Sequence, residues 1–202
     1  YPAAYDKWEA AAELLIDTLG SGISGPCGGG GISGEMALPM DPGYQMTSGY
    51  GWRGFVVAGA SDYHMAVDLQ HYPNPCGDPV FAIMAGTVTA TGGYTVTIKA
   101  PDGISVSYLH MFPEDVLVVE GQTITAGQQI GATGDNGPSK GCHLDLRINV
   151  AGTTNLPAAA LPLSQSLGSN VEGYLFNFVN PEDFYRLYGL ELCPEGSCAR
   201  LE

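Results

Sequence analysis

The chain has 202 residues, 45% of them apolar and 14% charged, with 29 glycines, 14 prolines and a formal net charge of -14. Length and apolar content suit one domain with a full hydrophobic core and exclude a disordered chain. The charge opposes binding to nucleic acid, and no Lys/Arg cluster offsets it; no apolar run reaches the ~18 residues of a membrane-spanning helix.

Residues 6–19, "DKWEAAAELLIDTL", predict a helix, because Ala and Leu are strong helix formers and Trp8, Ala11, Leu15 and Leu19 form a stripe. The following "GSGISGPCGGGGISGE" reads as a flexible linker. Residues 1–36 are therefore an N-terminal helix and linker, 37–192 the principal domain with its C-terminal extension, and 193–202 a tail. The helix and linker suggest a longer parent protein in which the domain is held away from a membrane or another part of a cell-envelope complex.

From Ala37 onward the pattern is one of short alternating segments separated by Gly, Pro, Asn and Asp. Turn signals about every ten residues predict a mainly β fold, an antiparallel sheet or sandwich. "KAPDGISVSY" predicts a hairpin around its Pro-Asp-Gly turn. The stretch 151–170 reads as a long loop, and Asn180 followed by Pro181 predicts the start of a small C-terminal helix.

The five cysteines are Cys27, Cys76, Cys142, Cys193 and Cys198, with no C-x-x-C pair. This favours the disulfides of an exported protein over a four-cysteine zinc site. Cys193 and Cys198 can close a short loop, and the odd count leaves one thiol, with Cys27 unassigned.

Four histidines carry the chemical interest: His64, His71, His110 and His143. His64 precedes Asp68 by four residues, and imidazole with carboxylate is a common zinc pairing. His110 ends the apolar strand "VSYLHM". In "SKGCHLDLRINV", His143 and Asp145 alternate with Cys142, Leu144 and Leu146, so in a strand they share one face. Taken singly, each is as readily a hydrogen-bonded structural residue as a ligand. As a set they would have to face one another in a small sheet. His71, in a Pro/Asn-rich loop, is a weaker alternative ligand.

Six segments in order, "TSGYGWR" (47–53), "HMAVDL" (64–69), "GDPVFAIMAGTV" (77–88), "SYLHM" (107–111), "VEGQTITAGQQIGATG" (119–134) and "GCHLDLRI" (141–148), resemble the lysostaphin/LytM-type zinc endopeptidases of bacterial cell walls. The resemblance implies a LytM-like domain and Zn2+ bound by His64 and Asp68. It places His110 against the attacked amide or its oxyanion, and His143 as the base for the attacking water. The family's last motif is usually His-x-His, and its second His is the third zinc ligand; here that position is Asp145. A carboxylate reaches about as far as an imidazole Nδ1, so Asp145 is the expected third ligand, at the cost of a weaker Lewis acid because two carboxylates offset the metal charge. The implied substrate is a peptidoglycan stem peptide or cross-bridge, outside the cell. In this frame Cys76 and Cys142 form a disulfide pinning two walls of the site. The competing expectation is a catalytically degenerate LytM-like module that binds the wall or partner proteins. A biotin- or lipoyl-carrier barrel, suggested by residues 118–134, lacks the modifiable Lys beside a Met.

Overall fold

The computed structural model describes residues 36–60, 62–73, 75–164, 177–195 and 198–201. The helix expected over 6–19 lies outside them. Alternating apolar and polar residues build one eight-stranded antiparallel sheet from β1 (Gln45–Ser48), β4 (Val67–Gln70), β6 (Gly86–Gly92), β7 (Thr95–Lys99), β8 (Ser105–Leu109), β9 (Thr123–Ile124), β11 (Leu144–Asn149) and β12 (Phe178–Val179). The order is β1-β4-β11-β8-β7-β6-β9, and β12 joins the far end of β11. Two small ribbons accompany it: β2 (Gly51–Trp52) with β3 (Tyr63–His64), and β5 (Pro79–Phe81) with β10 (Gln129–Ala132).

The period-two pattern divides the central strands between two environments. Val67 and Leu69 of β4, Val106 and Tyr108 of β8, and Leu144, Leu146 and Ile148 of β11 are buried in the core. Asp68, Asp145 and Arg147 point to the opposite face, which therefore carries the chemistry. Truncating a core residue such as Leu146 would cost about 2–5 kcal/mol. Two buried tyrosines tie segments to the core: Tyr108 accepts from the Ile83 amide at 2.8 Å, and Tyr185 donates to the Ala37 carbonyl at 2.8 Å.

The Pro-Asp-Gly segment forms the β7–β8 hairpin as expected, with the Asp102 side chain accepting from the Ile104 amide at 3.2 Å. The stretch read as loop contains a one-turn helix, α1 (Leu156–Ala159), started by Asn155, whose side chain accepts from the Ala158 amide. A single turn has too few residues for a helical period to register in sequence. The C-terminal helix α2 (Pro181–Leu187) starts where expected, capped by Asn180 onto the Glu182 amide, and buries Phe184 and Tyr185.

Among the described residues two disulfides are present, Cys76–Cys142 and Cys193–Cys198. The first ties the loop before β5 to the start of β11. Beyond the second, the chain returns to the edge of the sheet: Arg200 bridges Met46 of β1 in parallel, and Met46 exchanges backbone hydrogen bonds with Ala199 and Leu201.

Candidate metal centre and active site

The register of the central strands assembles the site. Asp145 on β11 lies directly opposite Asp68 on β4, and on its other side opposite Leu109 of β8, whose next residue is His110. The β2–β3 ribbon brings in His64, and His143 directly precedes β11. His64 Nε2 stands 3.2 Å from Asp68 Oδ1 and 3.6 Å from Asp145 Oδ2. His143 Nε2 is 3.5 Å from Asp68 Oδ1, His110 Nε2 is 4.0 Å from Asp145 Oδ2, and the rings of His110 and His143 are 4.6 Å apart. His64, Asp68, His110 and Asp145 are all buried.

Each of these histidines turns its Nδ1 outward onto a backbone carbonyl: His64 to Gly49 at 2.9 Å, His110 to Asn136 at 2.7 Å and His143 to Gly141 at 2.8 Å. A carbonyl only accepts, so each Nδ1 carries hydrogen, and it is Nε2 that faces inward, bearing a lone pair whenever the ring is neutral. A carbonyl behind the ring in this way is what commonly fixes the orientation of a metal-binding imidazole.

His110 holds its place through an unusual backbone. Its φ is 74°, in the left-handed region, which costs a non-glycine residue on the order of 1–3 kcal/mol. The turn is fixed from several sides. Its amide donates to the Tyr94 carbonyl, its carbonyl accepts from the Asn136 amide, and the Tyr94 ring stacks on the imidazole at 5.5 Å. Gly134 makes room for it, because a Cβ there would meet the His110 carbonyl oxygen at 2.5 Å.

Two arginines support the carboxylates. Arg147 grips Asp145 with both arms, Nε to Oδ1 and Nη2 to Oδ2, each at 2.8 Å. Arg53 donates to Asp68 Oδ2 at 3.1 Å and leaves Oδ1 to the centre. Burial alone would raise the Asp145 carboxyl, but the guanidinium beside it holds it well below the usual carboxylate range. Burial likewise pulls the His64 imidazole down, yet Asp145 and Asp68 outweigh it and hold His64 up at about 9. At His110 burial prevails and pushes the imidazole below its ordinary value. The two carboxylates thus favour a proton on His64, while burial disfavours one on His110.

His64 Nε2 and Asp68 Oδ1 are buried and, although 3.2 Å apart, make no hydrogen bond to each other or to any other group. Leaving two such atoms unmade costs roughly 1–3 kcal/mol each. Ligands about 2.0–2.1 Å from one tetrahedral ion stand about 3.3 Å apart. The separations of 3.2 and 3.6 Å bracket that edge. Among the described residues, His64, Asp68 and Asp145 are the group of His, Cys and acidic side chains whose donor atoms converge this way, and their N/O chemistry fits a divalent transition metal.

His71 is not brought to this cluster. Its Nδ1 meets Asp78 Oδ2 at 2.9 Å and its Nε2 meets the Asp41 carbonyl at 3.0 Å. Arg147, Arg53 and Tyr94 enter the site without having been singled out in the sequence. Arg147 alone had a signal, being two residues past Asp145 and so on the same strand face. A cavity of about 780 Å3 opens over the centre, its lining including Trp52, Arg53, Val57, Tyr94, Pro138 and Lys140.

Residues 62–157, which span every one of these His and Asp residues, match peptidase family M23. Over those residues the chain has the sequence of an M23 peptidase domain. It is 32% identical over 99 residues to the peptidoglycan DD-endopeptidase ShyA of Vibrio cholerae, an alignment covering 46% of this chain and 23% of ShyA. The chain thus spans less than a quarter of that relative's length. The antimicrobial peptidase lysostaphin from Staphylococcus simulans superposes with a TM-score of 0.51 at 23% identity, covering 76% of this chain and 56% of lysostaphin. A chain of the SpoIIQ–SpoIIIAH pore-forming complex gives 0.52 at 21% identity, with 60% and 87% covered. These two likenesses establish the LytM/lysostaphin-type fold and nothing finer.

Proposed function

We propose that this M23 domain is a zinc-dependent endopeptidase that hydrolyses peptide bonds in bacterial peptidoglycan cross-links. The observation that carries the reading is the pair of orphaned buried atoms, His64 Nε2 and Asp68 Oδ1, beside Asp145 Oδ2 at the spacing of ligands around one ion. Zinc held by His64, Asp68 and Asp145 would supply a Lewis acid for the scissile carbonyl.

The remaining steps belong to the chain's own side chains. The cavity admits an extended peptide over the centre. His143, with its Nδ1 anchored on Gly141, has an Nε2 lone pair to take the proton of the attacking water and pass it to the leaving amine. His110 is anchored the same way on Asn136, so while neutral it accepts at Nε2 and does not donate. The oxyanion role expected for it therefore requires a second proton, at Nε2, before it can donate.

Two disulfides suit an oxidising compartment, so the site of action is the cell envelope or the extracellular space. No helix among the described residues is long and apolar enough to cross a membrane. The competing reading, a silent LytM-like module that binds wall or partner proteins, rests on Asp145 standing where the family usually has His. Purified protein should contain one zinc per chain and release new amino termini from isolated peptidoglycan, read by mass spectrometry, with chelator stopping the release. Metal-free protein that leaves peptidoglycan intact after zinc is supplied overturns the enzyme reading in favour of the silent module.

A further inference from the structure

Two carboxylates around a divalent ion would cancel its charge, and a carboxylate with a free edge tends to chelate through both oxygens. Neither happens freely at Asp145. The guanidinium of Arg147 occupies the edge between the two oxygens, one N–H on each at 2.8 Å. A bidentate metal would need that same edge. What remains toward the centre is the outer lone pair of Oδ2, the oxygen 3.6 Å from His64 Nε2. The ion pair of Asp145 and Arg147 is also neutral overall, as an imidazole ligand would be.

We infer that Arg147 is a positioning residue that makes Asp145 a one-oxygen, charge-compensated ligand, so that the Asp145–Arg147 pair stands in for a neutral imidazole. The inference rests on the metal-centre reading above. It removes the weakness expected of a two-carboxylate site, because the charge that Asp145 adds is cancelled on its far side. Arg53 treats Asp68 similarly but touches only Oδ2, so the restriction falls mainly on Asp145. Lysine at position 147 would keep the charge but not the two-armed grip.

The test uses Co2+ as the probe, since its visible absorption reports coordination number independently of catalysis. The parent protein is expected to bind one Co2+ and give the intense spectrum of a four-coordinate site. In Arg147→Met, Asp145 is free to chelate, and the absorption should fall severalfold, toward that of a five- or six-coordinate ion. Arg147→Lys should fall likewise, and it carries the test if Arg147→Met fails to fold by circular dichroism. The double change Asp145→His with Arg147→Met should restore the intense spectrum. Parent-like spectra in both single variants overturn this inference alone. A parent protein that binds no Co2+ overturns the metal-centre reading, and the inference with it.

Discussion

Two of the molecule's His–Asp pairs, His71–Asp78 and His64–Asp68, are built to opposite ends. His71 and Asp78 meet at 2.9 Å, and the other ring nitrogen of His71 is taken by the Asp41 carbonyl. His64 and Asp68 meet at 3.2 Å, but the facing atoms make no hydrogen bond, and a second carboxylate waits on the same ring nitrogen. A His–Asp pair whose atoms are all matched fastens two loops together; one left unmatched in a buried place is prepared for something that must arrive. Proximity of the two residue types is common to both, and only the accounting of ring nitrogens separates them.

The largest break in this contrast is His64→Ala. Metal content should fall from one ion per chain to none and peptidoglycan cleavage should vanish, measured by elemental analysis and product release. His143→Ala sharpens the contrast within the site: bound metal should persist while cleavage drops roughly a hundred- to ten-thousand-fold, the usual worth of a general base. Opening Cys76–Cys142 by changing both to Ser releases a 66-residue loop. That should cost about 4 kcal/mol in denaturant unfolding, against about 2 kcal/mol for the five-residue Cys193–Cys198 loop. The smallest effect belongs to the matched pair. His71→Ala should cost about 1 kcal/mol of stability, the net worth of partly exposed hydrogen bonds, and leave metal content and cleavage at parent levels. Loss of metal in His71→Ala would erase the distinction between the two pairs.

The sequence carried the fold wherever local chemistry decides it. The hairpin at Pro101-Asp102-Gly103 and the helix begun by Asn180-Pro181 follow from turn and cap preferences that need no tertiary partner. Asp145 and Arg147 sharing a face follows from strand alternation. What alternation cannot supply is register. That Asp145 lies opposite Asp68, and not a residue either side, depends on how β4 and β11 are aligned by the whole core. The left-handed turn at His110 was equally hidden. Positive φ is uncommon for any non-glycine residue, histidine included, and the turn is held by Tyr94 and Asn136, distant in sequence. The same turn sets Nδ1 on the Asn136 carbonyl and leaves Nε2 facing the site, which no local pattern in the sequence announces.

The return of residues 199–201 alongside β1 also bears on how this protein behaves among its own copies. β1 ends the path of the main sheet, and such a margin offers a row of unclaimed amide and carbonyl groups to any passing strand. Met46 has both its backbone groups already engaged by Ala199 and Leu201, and Arg200 is fastened down onto Glu182. The chain therefore supplies its own guard strand at the border beside His64 and Asp68, and closes that margin of the sheet to a second copy.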